Sequence, residues 1–597
     1  MIRLMVPAAL VTCLFAVSAS AATIKVDVFT DSAALEHQKC GTLAGDCTLR
    51  AALNVAKTGD VIELDSTSEH IIDSTLVINK SVSLLAAKDL ATITTQKSIQ
   101  LIRLDKTATG TAPRVTLQQL TLTGGGGGIG FGGAIGVAVD AELNIISCVF
   151  SGNSAVSAGA IHWNAPGSVF ISDSVFEKNV GGKSAGAIFF GSAKTKISIQ
   201  DSTFRDNQVV SGSGEGGAIV SAALSLSIEH SSLLRNTAGS GSAISVFSGA
   251  SLSATLQLNF VTIARNLANK SGAISVDALS TVSLANTLLG ENTNGDCVSA
   301  STVKSFGFNL VEAPGDCLFK AAGDITGEKA ALFTEEEPAE KPIAPTSGLV
   351  PACKSAAVDR ACASETTNFE CSRTSDALGF LRPIGKGRDI GAVESPLLGA
   401  KASVEAPDQV TFGEDFAYAI TVTNLAFRPL HDTQVEIVIP SAFSVQTMPT
   451  ECSGATTLTC TASVLAGQAS KRFSITLQAN AEGTVNLAPS ASSASCLVSP
   501  IVISQKSITV LPKPVAPVTA PEVPAETPTV AAAPDAVAAD VPAATAIVDD
   551  SPLATVDELF VRRQQPAPKG CSAAGDHSAL VWLAVAAFLL ARRRAKA

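Results

Sequence analysis

The sequence predicts an all-β protein whose larger part is a right-handed parallel β-helix, and three observations carry that prediction. A phrase keeps returning through residues 114–297, clearest as VFISDSVFEKN (169–179) and KISIQDSTFRDN (196–207). It closes on Asn153, Asn179, Asn207, Asn236, Asn266 and Asn292, a spacing of 26 to 30 residues that marks a solenoid. Counting back from each asparagine gives apolar rows without exception: Phe150, Phe176, Phe204, Leu233, Ile263 and Leu289 three before, with Ile or Leu eight before and Leu, Val or Ile ten before. Apolar residues two apart, separated by polar or small ones, describe strands with one buried face, and nothing in this region has the length and period of a helix.

Each phrase is followed by Gly-Ala-Ile, at Gly133, Gly159, Gly186, Gly217 and Gly272, degraded to Ser242-Ala243-Ile244 in one coil. This supplies a further short strand, with the glycine expected to permit a bend. Two or three short strands per coil, stacked in register, make the β-helix. The asparagines are expected to form a ladder, because an amide that both donates and accepts can bond its neighbours in the coils above and below. They also suit a left-handed turn.

The chain divides into five stretches. Residues 1–22 read as a secretory signal peptide, Arg3 and an apolar run ending in small residues, so the protein is expected to be exported. Residues 23–397 hold the β-helix, with a short amphipathic helix (Leu49, Ala52, Leu53, Ala56) as N-terminal cap and a closing region after Cys297. Residues 398–512 show alternating strands with frequent turns, as in an immunoglobulin-like β-sandwich. Residues 513–569, rich in Pro, Ala and Val, cannot bury a core and read as an extended, disordered linker. Residues 570–597 carry Gly570 and Cys571, a short apolar helix, and Arg592, Arg593 and Arg594, which would hold the end in the cytoplasm. The tail is expected to be a sorting signal cut near Cys571, the alternative being a retained membrane anchor.

Of the 13 cysteines, eleven remain once Cys13 of the leader and Cys571 of the tail are set aside. Cys40 with Cys47, Cys297 with Cys317, and Cys452 with Cys460 are natural local pairs, and two of Cys353, Cys362 and Cys371 are expected to form another. The odd count leaves a thiol over, and Cys148, in a small-residue row of the coil, is expected to be a buried, inert one. The net charge of -11 and the lack of a basic patch exclude a nucleic-acid partner. No Cys/His cluster or aspartate-rich loop suggests a metal, and no cofactor is expected.

Several motifs resemble those of known families. Cys47-Thr48-Leu49-Arg50-Ala51-Ala52-Leu53 looks like the CSLREA motif of secreted bacterial β-helix proteins, departing at Ala51 where that family usually has Glu. Gly132-Gly133-Ala134-Ile135, with Phe150, Phe176 and Phe204 and their asparagines, resembles the GGAI and FxxN repeats of polymorphic outer-membrane proteins. Gly307 with Asn309, the Asp296-Cys297 and Asp316-Cys317 pairs, and Arg382-Pro383 with Asp389-Ile390-Gly391-Ala392 resemble the end of the choice-of-anchor Q family. That family closes a β-helix ahead of varied surface anchors, so Arg382, Arg388 and Asp389 are expected to make a capping salt bridge. Gly413-Glu414-Asp415 with 418–424 resembles the conserved-repeat immunoglobulin-like domains of bacterial surface proteins, which implies a spacer or stalk. The tail resembles the MYXO-CTERM sorting signals.

These resemblances imply a bacterial protein of the outer membrane, cell surface or extracellular space, with an adhesive or envelope-structural role. The partner would be an envelope component or a surface glycan or protein, and the membrane would be met through the C-terminal helix before processing. The alternative is a surface-displayed polysaccharide lyase or glycoside hydrolase of the pectin-lyase-like kind. Six residues before each asparagine stand Ser147, Asp173, Asp201, His230, Phe260 and Asn286. Asp173, Asp201 and His230 on successive coils are the best acid/base constellation in the chain, and Trp163 beside His162 is the one aromatic available to a sugar. A turn is also expected there, which favours Asp, Asn and Ser for structural reasons. One residue before the asparagines, Lys178, Asp206, Arg235, Arg265 and Glu291 read as a solvated ladder of mostly alternating sign.

Overall fold

In a computed structural model, residues 21–514 are described apart from 32–39, 42–44, 128–131, 249–252, 302, 337–345, 362–370, 372, 380, 384–385, 397, 427 and 498. The leader, Cys362, most of the linker and the C-terminal tail with Gly570 and Cys571 lie outside the described residues. Among these residues no helix is long and apolar enough to cross a membrane.

The N-terminal body is a parallel β-solenoid. A central coil runs through four strands rather than two or three: Ala141–Ile146, Val149–Ser151, Ser154–Ala155 and Ile161–Trp163. Stacked coil on coil, these build parallel sheets of eleven, eleven, six and nine strands. The register is residue for residue, so Leu143 pairs with Val169 and Ile145 with Ile171, and these pair in turn with Ile197 and Ile199. Like side chains therefore stack on like inside the coil. The Phe150, Phe176 and Phe204 rings lie parallel with centroids 4.6 and 4.8 Å apart, the strand spacing itself.

The Gly-Ala-Ile glycine has a different cause from the one expected. A Cβ on Gly186 would stand 1.9 Å from the Gly217 carbonyl oxygen, and one on Gly159 would stand 2.2 Å from that of Gly186. Backbone passes directly over backbone at this row, and no side chain fits between.

Left-handed bends do stand at this element, just before it at Gly132, Ala185, Gly216 and Gly241 and on Gly272 itself, and two further rows of left-handed residues turn the chain elsewhere. Ser147, Asp173, Asp201, His230, Phe260 and Asn286 have φ between 47° and 52°. Lys178, Asp206, Arg235, Arg265 and Glu291 have φ between 52° and 58°. The left-handed residue is thus the one before each asparagine, and the asparagine is left to serve the ladder.

At the N-terminal end the helix Leu49–Val55 begins on Thr48, whose side chain accepts from Ala51 N at 3.1 Å. It ends on Lys80, whose Nζ donates to the carbonyls of Leu53 (2.9 Å), Asn54 (3.4 Å) and Ala56 (2.9 Å). A cation on the last carbonyls is the favourable arrangement for a helix C-terminus. Ala51 is 2% exposed, so the glutamate of the resembled motif would be buried here.

The closing region differs most from expectation. After Cys297, joined to Cys317, the chain turns back along the outside of the solenoid. Leu234, Ala264, Leu288 and Leu310, facing outward from the sheet that carries the phenylalanines, pack under Leu349, Ala357 and Ile390 as a second core. Thr203 Oγ1 donates to the Ser347 carbonyl (2.8 Å), and Ala392 N donates to Thr262 Oγ1 (2.9 Å). We call residues 346–396 the flank strap.

Beyond it, antiparallel sheets make the sandwich. One has the order Ala400–Glu405, Asp415–Asn424, Ser470–Ala479, Phe443–Thr447; a second contains Cys452–Ser453, Thr457–Leu465, Leu430–Val438 and Ser490–Ser492, and a smaller third joins Gln409–Thr411, Lys506–Leu511 and Gly483–Leu487. Tyr418, Val435, Leu458 and Phe473 are buried between them. Cys452 is joined to Cys460 and Cys40 to Cys47. Cys353 is joined to Cys496, a cysteine of the sandwich, and Cys371 is also disulfide-bonded, its partner lying outside the described residues. The strap brings 353 against 496, a contact 143 residues apart that local spacing cannot reveal.

Candidate functional site

The asparagine row is a continuous amide ladder. Each Nδ2 donates to the Oδ1 of the next asparagine, at 3.1 Å from Asn153 to Asn179 and 2.9 Å from Asn179 to Asn207. The same pattern runs on through Asn236 and Asn266 to Asn292. The same Oδ1 also takes the preceding asparagine's backbone N–H, and Nδ2 reaches back to the carbonyl above, as in Asn207 to Phe176 O at 2.8 Å. The amide-to-amide donors all point toward the later coils, so the ladder ends on a donor, Asn292 Nδ2. Asp296 meets it, accepting from Asn292 Nδ2 at 2.8 Å. Burial pushes the Asp296 carboxyl up, to about 6. At the other end Gly125 N donates to Asn153 Oδ1 (2.9 Å), and a Cβ on Gly125 would stand 2.9 Å from that same oxygen.

A second ladder runs beside it. The backbone N–H groups of Cys148, Ser174 and Ser202 donate to the hydroxyls of Ser174, Ser202 and Ser231, at 3.1 to 3.2 Å. Cys148 opens this row as a buried thiol pushed up to about 12 by burial, which leaves it protonated and inert.

Asp173, Asp201 and His230 occupy three consecutive left-handed corners, but in three unlike environments. Asp173 is exposed. Asp201 accepts from Arg373 of the strap, Nη2 to Oδ2 at 2.6 Å. Its carboxyl is nevertheless pushed up to about 6, because desolvation outweighs that guanidinium. His230 is 2% exposed and stacks on Phe260, ring centroids 5.1 Å apart. Burial, with Arg382 and Arg373 nearby, holds its imidazole down at about 2. A neutral histidine and a carboxylate already engaged are not poised for acid/base exchange with a substrate.

Trp163, the one aromatic that was available to a sugar, is fully buried in the coil, its indole N–H donating to Ala165 O at 2.7 Å. It lies on the sheet of Ile161–Trp163, paired with Val137 and Phe190, away from the corner row. The inward phase of that three-residue strand places it there: Ile161 and Trp163 point in and His162 points out. His162 stacks on Phe189 (4.9 Å) beside a hollow of about 240 Å³ lined also by Arg103, Asp105, Gly136 and Asn164.

The Arg382 and Asp389 pairing also falls differently. Arg382 Nε donates to Glu394 Oε2 at 2.7 Å with both side chains fully buried, and its guanidinium lies 4.4 Å from the Phe260 ring centroid. Asp389 instead accepts the backbone N–H groups of Asp359 (2.7 Å) and Ser395 (2.6 Å), and burial beside Glu394 raises it. These polar pairs brace the strap internally, and Arg382 over Phe260 sets it against the side of the solenoid. Sequence reasoning missed the strap as a cover, though a signal was present. Two before each asparagine the outward row runs Ser151, Glu177, Arg205, then Leu234, Ala264, Gly290, and the change to apolar marks the coils it covers.

Within the charge ladder Arg235 makes a bidentate contact with Asp206 (2.8 and 2.9 Å) and Arg265 meets Glu291 at 2.6 Å, while in the adjacent row Arg205 meets Glu177 at 2.8 Å. Among the described residues no group of His, Cys, Asp and Glu side chains could hold a metal ion.

No family model matches the chain, so the CSLREA, choice-of-anchor and sorting-tail resemblances rest on their motifs alone, and no curated protein matches either. Among solved structures, the chain is similar to the CARDB domain of PF1109 from Pyrococcus furiosus, crystallised in complex with di-metal ions. The identity is 14% over 20% of this chain and 93% of that one, with a TM-score of 0.16. The solution structure of the same domain gives 14% identity over 19% and 96%, TM-score 0.15. AvmM, described as catalysing macrocyclization in alchivemycin A biosynthesis, gives 12% over 20% and 92%, TM-score 0.15. At these TM-scores the likenesses carry no argument about what this chain does; the β-solenoid and the antiparallel sheets rest on its own geometry.

Proposed function

We propose that the chain is an exported, surface-displayed β-helix protein with an adhesive or envelope-structural role. The observation that carries this reading is the state of the corner row: Asp201 is held by Arg373, and His230 is buried under Phe260 and Arg382. Of the best candidate acid/base set, Asp201 is thus engaged by the strap and His230 is buried, while Asp173 stands exposed. The disulfides are in keeping with folding in an oxidising compartment. In this reading the leader exports the chain, the linker supplies reach, and the tail is cut near Cys571 and passes the chain to the surface. Recognition then falls to the irregular loops between coils, such as 207–217 and 124–133. Treating intact cells that express the full chain with a membrane-impermeant protease tests display. The expected result is loss of solenoid fragments from the cells; full protection until lysis would contradict the proposal.

A further inference from the structure

We propose that the Cys353–Cys496 disulfide is a redox-sensitive lock on the joint between solenoid and sandwich. It is the described disulfide that ties the two bodies together, closing a loop of 143 residues, whereas the others close 7, 20 and 8. Its noncovalent surroundings are slight. Four buried apolar residues of the strap, Val350, Leu378, Ala392 and Val393, meet Ala494 of the sandwich. Among the described residues, further links between the bodies include Cys353 N to Ala494 O at 3.2 Å and Arg428 Nη1 to Glu394 O at 3.4 Å. Bodies joined through so small a contact move relative to one another by default.

Access is asymmetric as well. Cys353 is an exposed residue, while Cys496 is 5% exposed. Both members of Cys297–Cys317 and of Cys452–Cys460 are buried, none more than 6% exposed. A thiolate arriving from solvent therefore reaches Cys353 Sγ first. It forms a mixed disulfide there and releases Cys496 as thiolate. The second thiol of a dithiol then displaces Cys353, so that two electrons pass from the dithiol and two cysteine thiols result. Once it is opened, the sandwich is held by the chain connection and by noncovalent contacts.

The test is titration of the full chain with dithiothreitol, trapping thiols with iodoacetamide and locating them by mass spectrometry, with small-angle X-ray scattering at each step. Cys353 and Cys496 are expected to open at about tenfold lower reductant than the two buried disulfides, and the scattering is expected to broaden at that step. Cys353→Ser and Cys496→Ser should broaden it without reductant. Opening of the buried disulfides at the same concentration would overturn the proposal. Scattering that superposes on the oxidised form in the reduced chain or in the variants would overturn it equally.

Discussion

Asn207 is fully buried, and its side chain makes four hydrogen bonds: two accepted from Asn179, one given to Asn236 and one given to Phe176 O. Replacing it with alanine orphans several buried groups at once, each costing about 1–3 kcal/mol. Asn207→Ala should therefore lose about 3–5 kcal/mol, read from chemical denaturation, against well under 1 kcal/mol for a change at exposed Lys196. The corner row makes an opposed pair of pH effects. His230 is depressed in the folded chain to about 2, so its contribution is present above about 6.5 and is lost as pH falls. Asp201 is raised to about 6, so its contribution is present below about 3.8 and is lost as pH rises through about 6. Arg373, Arg382, Asp173 and Asp376 are the charged groups acting on the two. Relative to the parent chain, His230→Asn should lose stability and Asp201→Asn should gain it as pH rises from 4 to 6, each by about 2 kcal/mol. Asparagine accepts the left-handed corner, as Asn286 does in this row, so neither variant strains the backbone.

Among the elements, the glycine row and the strap lend themselves to direct test. A methyl on Gly186 meets backbone that belongs to the next coil, so Gly186→Ala should prevent native stacking or cost several kcal/mol. Gly212, with nothing within 4 Å of an added Cβ, is the matched neutral site. Thermal melts of the two variants make the comparison. For the strap, Glu394→Gln leaves the Arg382 guanidinium buried beside a neutral partner, and breaking such a pair costs about 3–5 kcal/mol. Amide exchange across 374–395 should rise in that variant while exchange in Ile197–Ile199 stays slow. The coil was legible at this scale because register turns every third or fourth residue into a column of like side chains. The strap was not. Its anchors, Arg373 on Asp201 and Ala392 on Thr262, join positions 172 and 130 residues apart, and no period links them.

Across the whole molecule, the solenoid and the following antiparallel sheets were readable from alternation and spacing, and the local disulfide partners lie side by side as their spacing suggests. What escaped was everything that depends on the chain folding back: the Cys353 to Cys496 link, the second core under 346–396, and the arginines set beside Asp201 and His230. Asp173, Asp201 and His230 do stand on successive coils, as the period requires, yet Arg373 and Arg382, which act on Asp201 and His230, come from far along the sequence. Beyond burial, the surroundings of those two are set by these arginines and by Phe260, with a smaller push on Asp201 from exposed Asp173. The central claim is that this row holds the molecule together and does not cut sugars. It is tested by incubating the full chain with a panel of acidic and neutral polysaccharides and measuring reducing ends and unsaturated products. No release above that of the Asp201→Asn chain is the predicted result; release that Asp201→Asn abolishes would contradict it.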